Sequence, residues 1–268
     1  MKIEIPFELV ENIPLCQVCL RDTTEQFFFD SGAPGIVLNA AYQPKVENTL
    51  NAKGIHDETI QIAETTIPHI ALHGLVLENE PAHIADLSHL EQNLSTKIYG
   101  LIGWKVIKDY DVLYDYQNRK ITLYPPTPDV IFPYTKTPLF LGNIPQAVVI
   151  PIEIAGKNYN FAFDSGAGSC AMDIKHLDEI SQSGVFSKNP EATTLSGGIS
   201  TSQVTSGAIS YVTIAGQEFS VQHCSFSDLS HLSAAMGAPI DGVIGYDILS
   251  KVKVLVSYAR QELAIEAR

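Results

Sequence analysis

The sequence predicts an all-β protein of two similar barrel-like lobes with short helices, related by an approximate twofold axis. Three observations predict it: an ordered set of motifs that occurs twice, strand-type patterning inside each copy, and a proline-rich stretch between the copies.

The repeat comes first. Phe27-Phe28-Phe29-Asp30-Ser31-Gly32-Ala33 recurs as Phe161-Ala162-Phe163-Asp164-Ser165-Gly166-Ala167. Asp86-Leu87-Ser88-His89-Leu90 recurs as Asp228-Leu229-Ser230-His231-Leu232, and Ile98-Tyr99-Gly100-Leu101-Ile102-Gly103 as Ile240-Asp241-Gly242-Val243-Ile244-Gly245. Tyr116 then matches Tyr258. The offset is 134 at the first motif and 142 at the later ones, so about eight residues are inserted after the second Asp-Ser-Gly. Three long matches in one order indicate two copies of one unit, not a solenoid of short repeats.

Within each copy the pattern is that of strands. Ile13 to Leu20 and Val148 to Ile154 read as strands, each followed by a polar turn, Asp22-Thr23-Thr24 and Gly156-Lys157-Asn158. A second strand then runs into each aspartate. Thr59 to Ile62, Tyr211 to Ile214 and Lys253 to Val256 alternate or carry β-branched residues, as half-buried strands do. Short helices are expected after Gly103 and Gly245 (Trp104 to Lys108, Tyr246 to Lys251) and around Ile174 to Ser181. Pro125, Pro126, Pro128, Pro133, Pro138 and Pro145 cluster between the copies; proline cannot serve a central strand and favours extended chain. The expected organisation is a first lobe at 1–124, a linker at 125–143 and a second lobe at 144–268.

Composition narrows the function. Acidic residues outnumber basic ones 30 to 17, a formal charge of −13, which disfavours nucleic acid and anionic lipid as partners. No run approaches the ~18 apolar residues of a membrane span. The first residues show no basic segment followed by an apolar one, so no secretory signal is read; the expectation leans towards the mature part of an exported, periplasmic protein, with a cytoplasmic one as the alternative. Cys16 and Cys19 form C-x-x-C on a predicted strand, where residues three apart face opposite ways, so they are read as ordinary thiols. His69 and His73 also fall on a predicted strand, without the Glu that a helical zinc site would need, and no metal or other cofactor is expected. His89 and His231 are expected on surfaces or capping turns. No phosphate-cradling loop and no Gly-x-Ser-x-Gly is present.

The Asp-Ser-Gly pair carries the chemistry. A carboxylate at a tight turn after a buried strand, with glycine beside it for close backbone approach, can face its twin across a twofold axis. Like charges roughly 3 Å apart cannot both ionise, so such a pair holds one proton; the ionised member can act as general base on a water and the other can polarise a carbonyl.

The motifs resemble the pepsin and retropepsin superfamily of aspartic peptidases, over nearly the whole chain. The chain looks most like its bacterial single-chain, two-lobe branch, where Asp-Ser/Thr-Gly-Ala is followed by a hydrophobic-hydrophobic-Gly element, here Leu101-Ile102-Gly103 and Val243-Ile244-Gly245. The resemblance implies the bilobal aspartic-peptidase fold and an aspartic endopeptidase acting on peptide or protein substrates. It implies Asp30 and Asp164 as the catalytic pair, Ser31 and Ser165 as an interlobe hydrogen-bond pair, and Gly32, Ala33, Gly166 and Ala167 as turn supports. One chain holds both aspartates, so no dimer is required. Gly54-Ile55 and Gly197-Gly198-Ile199 lie where the family carries substrate-covering flaps, though ordinary hairpin turns would read the same way. A catalytically idle module that binds an extended peptide by strand addition is the alternative on this fold. Pepsin-like members place Ser or Thr after the tripeptide as a donor to the carboxylate; Ala33 and Ala167 lack it, which implies a higher-titrating pair and weakly acidic activity.

Overall fold

The computed structural model describes residues 2–20, 22–44, 49–53, 59–126, 134–141, 148–190, 193–197 and 200–266. Among these residues the strands form three sheets. One, from the first half, has the order Glu8–Val10, Ile13–Leu20, Thr23–Phe29, Gly100–Ile102, Ile36–Asn39, Leu75–Ala85, Thr59–Leu72, Leu50–Lys53. The second repeats that order with Phe140–Leu141, Val148–Ile154, Lys157–Phe163, Gly242–Ile244, Cys170–Asp173, Gln217–Ser227, Ser200–Ile214 and Phe186–Lys188, while Thr193–Gly197 pairs on Ser200–Ile214. The third draws on both halves: Ile3–Pro6, Lys120–Tyr124, Asp111–Asp115, Val254–Ser257, Glu262–Glu266, Tyr134–Pro138. The fold is bilobal and predominantly β. Among the described residues no helix is long and apolar enough to cross a membrane.

The strands that end at the aspartates explain the unbroken apolar runs before them. Thr23–Phe29 lies between an antiparallel neighbour, Ile13–Leu20, and a parallel one, Gly100–Ile102. Phe27, Phe28 and Phe29 are all buried, as expected of a strand covered on both faces. Phe161, Ala162 and Phe163 are buried in the matching place, beside Gly242–Ile244. One hydrophobic core runs through both halves and includes Ile5, Phe29, Tyr114, Phe163 and Val256.

Several expectations shift. The turn expected at Gly156-Lys157-Asn158 sits one residue earlier, at Ala155 (φ 50°) and Gly156 (φ 80°), because Lys157 already pairs with Ile154. Two positive φ angles make the tight hairpin turn whose twist suits the flanking strands. His73 stands in the same kind of turn and His69 on the strand opposite Glu78. The proline-rich segment is not connection alone: Tyr134–Pro138 is an edge strand against Glu262–Glu266, where a missing N–H is tolerated. Pro128, Pro133 and Pro145 lie outside the described residues. The helices after the glycines form as Trp104–Ile107 and Tyr246–Leu249, and the third as a 3-10 turn, Ile174–His176, running into Leu177–Gln182. Two more, Ser88–Leu94 and Ser230–Met236, open on the repeated Asp-Leu-Ser-His-Leu and put His89 and His231 in first turns. Asp86 and Asp228 accept from the Ser88 and Ser230 N–H at 2.9 Å, which is what that motif is for.

Candidate active site

The two Asp-Ser-Gly turns are built alike. The Asp30 N–H donates to Ile102 O (2.9 Å) and the Asp164 N–H to Ile244 O (3.1 Å), so each aspartate leaves its strand in register with the later repeat. Trp104 N–H holds Ala33 O and Tyr246 N–H holds Ala167 O, both at 3.0 Å. A side chain at Gly103 would sit 2.2 Å from Ala33 O, and one at Gly245 2.5 Å from Ala167 O. The hydrophobic-hydrophobic-Gly element ends in glycine because the turn's carbonyls press against it.

The turns meet. Ser31 N–H donates to Ser165 Oγ and Ser165 N–H to Ser31 Oγ, both at 2.9 Å. Ser165 Oγ donates onward to Phe29 O at 2.9 Å. Gly32 and Gly166 abut the opposite aspartate: a Cβ on Gly32 would lie 2.9 Å from Asp164 Oδ2, and one on Gly166 2.6 Å from Asp30 Cγ. The Asp30 and Asp164 carboxyls lie close enough to perturb one another's titration. Asp30 Oδ1 accepts from Gly32 N–H (2.9 Å) and Ala33 N–H (3.1 Å); Asp164 Oδ1 accepts from Gly166 N–H (2.8 Å) and Gly32 N–H (3.2 Å). So Ala33, without a hydroxyl, still supplies a donor through its backbone.

Both residues keep some solvent-accessible surface, but the protein packed around the carboxyls desolvates them. Desolvation first, then the neighbouring Asp164 carboxyl, pushes Asp30 well above the usual carboxylate range. Desolvation raises Asp164 too, against the downward pull of the Gly166 N–H, Asp30 and the Gly32 N–H. The arrangement can hold a proton between two carboxyls and offer an ionised oxygen beside a protonated one.

The strands bearing the expected flaps form hairpins, Leu50–Lys53 on Thr59–Leu72 and Thr193–Gly197 on Ser200–Ile214, with Gly197 opposite Ser200. Gly54, Ile55, Gly198 and Ile199 lie outside the described residues. Among the described residues no group of three or more His, Cys, Asp or Glu could hold a metal ion. A cavity of about 780 Å³ opens between Asp173–Lys175 and the helix Ser230–Met236, but neither aspartate lines it. Sequence reading missed two contacts with the second turn: Asn12 Nδ2 donates to Gly168 O at 3.1 Å, and Tyr116 Oη to Ser165 O at 3.2 Å. The recurrence of Tyr116 as Tyr258 was the one signal for the latter.

Residues 150–248 match the family model described as aspartyl protease. No curated protein matches the chain. Among solved structures, an aspartic proteinase from Irpex lacteus superposes with a TM-score of 0.63 at 10% identity, covering 100% of this chain and 97% of that one. Basic 7S globulin from soybean superposes with a TM-score of 0.60 at 9% identity, covering 99% and 94%. One neighbour is named a proteinase and the other a globulin, so the shared fold does not by itself assign hydrolysis. The second half of the chain carries the aspartyl protease sequence signature, and the chain as a whole has the bilobal pepsin-like fold of the aspartic peptidase superfamily.

Proposed function

We propose that the protein is an aspartic endopeptidase in which Asp30 and Asp164 share one proton and activate a water between them. The observation that carries this reading is the convergence of the two carboxyls, each pressed against the glycine of the opposite turn and both desolvated. An idle site has no physical need for two desolvated like carboxylates in contact, which cost stability. In this scheme Asp30 carries the shared proton and Asp164 the charge, desolvation having raised both carboxyls. Ionised Asp164 takes a proton from the water as its oxygen attacks the scissile carbonyl carbon, and Asp30 gives its proton to the carbonyl oxygen. The tetrahedral diol then collapses: the C–N bond breaks, the amine nitrogen takes one proton, and the pair regains the other. The two turns come from one chain, so the site needs no second copy. The hairpins ending near Gly54-Ile55 and Gly197-Gly198-Ile199 are assigned as the covers over an extended peptide.

The test is cleavage of an unfolded protein by wild type, Asp30→Asn and Asp164→Asn, with a statine-type inhibitor and, separately, a chelator. Each substitution should remove nearly all hydrolysis, and the inhibitor should block the wild type. Substantial turnover in either variant, or loss of activity to the chelator alone, would overturn the reading. A wild type that binds peptides without cutting them would replace it with the binding module.

A further inference from the structure

The second turn is braced from below by a residue outside either Asp-Ser-Gly motif. Tyr116 follows the strand Asp111–Asp115 of the shared sheet and is buried. Its hydroxyl donates to Ser165 O at 3.2 Å, 49 residues along the chain. That carbonyl and the Gly166 N–H belong to the same peptide, and a trans peptide is a rigid plane whose C=O and N–H point in opposite directions. The N–H end donates to Asp164 Oδ1 at 2.8 Å. A donor on the carbonyl therefore fixes the aim of the N–H and, by polarising the amide, strengthens it as a donor.

The tyrosine is itself locked. Phe7 meets its ring edge-on at 5.4 Å and Tyr246 at 5.9 Å. Tyr246 in turn holds Ala167 O of the same turn through its N–H. Burial, and then the Asp164 and Asp30 charges, raise the Tyr116 hydroxyl well above the usual phenol range, so it stays a neutral donor. The counterpart Tyr258 is also buried, but among the described residues its hydroxyl makes no bond to the first turn. Among the described residues this bond to a turn carbonyl is made at the second turn and has no Tyr258 equivalent at the first.

We propose that Tyr116 is a positioning residue for Asp164: through the Ser165–Gly166 peptide it strengthens the hydrogen bond that stabilises the ionised carboxylate, and so sets Asp164 as the base of the pair. This rests on the peptidase reading for its catalytic consequence, though not for its effect on the carboxyl. The titratable groups that face the pair and its brace are Asp30, Asp164 and the hydroxyls of Tyr114 and Tyr116, with Tyr246 beside Tyr116 and Tyr258 acting on Tyr114.

The experiment compares Tyr116→Phe with Tyr258→Phe, each losing one hydroxyl and keeping the ring. Two readouts are taken: the pH profile of kcat and KM on a fluorogenic peptide, and the titration of the aspartate carboxyl carbons by NMR in protein labelled at Asp. Amide polarisation of 10–30% on a charge-assisted bond predicts that Tyr116→Phe moves the lower of the pair's two titrations up by roughly half a pH unit. The acidic limb of the kcat profile should move with it, lowering kcat about threefold below that limb with KM little changed. Tyr258→Phe should move neither. Superposable titrations for wild type and Tyr116→Phe, or an equal shift in Tyr258→Phe, would overturn the proposal. If the wild type hydrolyses nothing, the peptidase reading has failed, and the carboxyl titration alone still decides the role of Tyr116.

Discussion

Replacing Gly166 by alanine puts the close meeting of the lobes under direct strain. The new methyl carbon would stand 2.6 Å from Asp30 Cγ and Oδ1 and 3.0 Å from Oδ2, where ordinary contact begins at 3.4 Å. The gap must open by about 0.8 Å, the difference between those distances. Asp30 cannot swing away freely, because the Gly32 and Ala33 N–H groups hold its Oδ1. The carboxyl or the turn has to move, and a misplacement of about 1 Å at reacting groups costs on the order of 100-fold in rate. Overpacking should cost about 1–3 kcal/mol of stability, and each kcal/mol lowers Tm by about 2–4 °C at a size somewhat below this one. Gly156→Ala is the control: its φ is +80° and nothing lies within 4 Å of the added carbon, so it suffers backbone strain of about 1 kcal/mol far from the carboxyls. Peptide cleavage and differential scanning fluorimetry on both variants separate the two effects. Gly166→Ala that keeps more than half of wild-type turnover, or destabilises no more than Gly156→Ala, would refute the close approach on which the site depends.

Other substitutions probe the frame without any assumption about hydrolysis. Ser165→Ala leaves the buried Ser31 N–H and Phe29 C=O without their partner, at about 1–3 kcal/mol each, so chemical denaturation should show a loss of about 2–6 kcal/mol. Asp247 is buried and accepts from the N–H groups of Gln222 (3.1 Å), His223 (3.0 Å) and Cys170 (3.4 Å); Asp247→Ala should therefore destabilise by several kcal/mol, and Asp247→Asn, which keeps an acceptor, by clearly less. Asp30→Asn should stabilise the fold at neutral pH. Its folded pKa is raised, so the wild type loses stability as pH rises from the unfolded carboxylate value, ~3.9, through the folded one. The Tm advantage of the variant should shrink as pH falls towards that value, and an advantage that is absent at pH 7, or constant with pH, would contradict the desolvated pair.

What could be read from the sequence divides along a physical line. Strands before the aspartates were legible because a run such as Phe27-Phe28-Phe29 suits only a strand covered on both faces. The glycines were legible as points of close approach, but what approaches was not: Gly166 meets Asp30, a residue 136 positions earlier. Parallel pairing hides contacts in the same way. Cys170 and Cys224, 54 residues apart in sequence, are register neighbours on parallel strands and both are buried. The helices at Asp-Leu-Ser-His-Leu are seven residues each, too short for a periodic apolar stripe to declare them. Only the aspartate that receives the Ser N–H could have marked their start.

The offset between the copies carried more spatial information than the strand patterns did. Leu113 faces Leu255 in the central antiparallel pair, a separation of 142, the same as that between the later motifs. Around that point the register crosses over: Val112 faces Val256 and Tyr114 faces Val254, so each residue meets the counterpart of its neighbour's mirror position. A twofold axis through Leu113 and Leu255 demands this pattern, and the same axis brings the two aspartate turns together. Symmetry of that kind, however, predicts equal halves. At equivalent places Tyr99 stacks on Tyr42 in one half, while Asp241 pairs with His176 at 2.7 Å in the other. Lys105 stands where the second half has Asp247. Tyr116 reaches the second turn, and among the described residues Tyr258 makes no equivalent bond. A proton shared by two identical carboxyls has no preferred side. The proposed division into a base and an acid requires differences between the copies, and among the described residues the Tyr116 bond to Ser165 O, linked to Asp164 through a single peptide plane, is one.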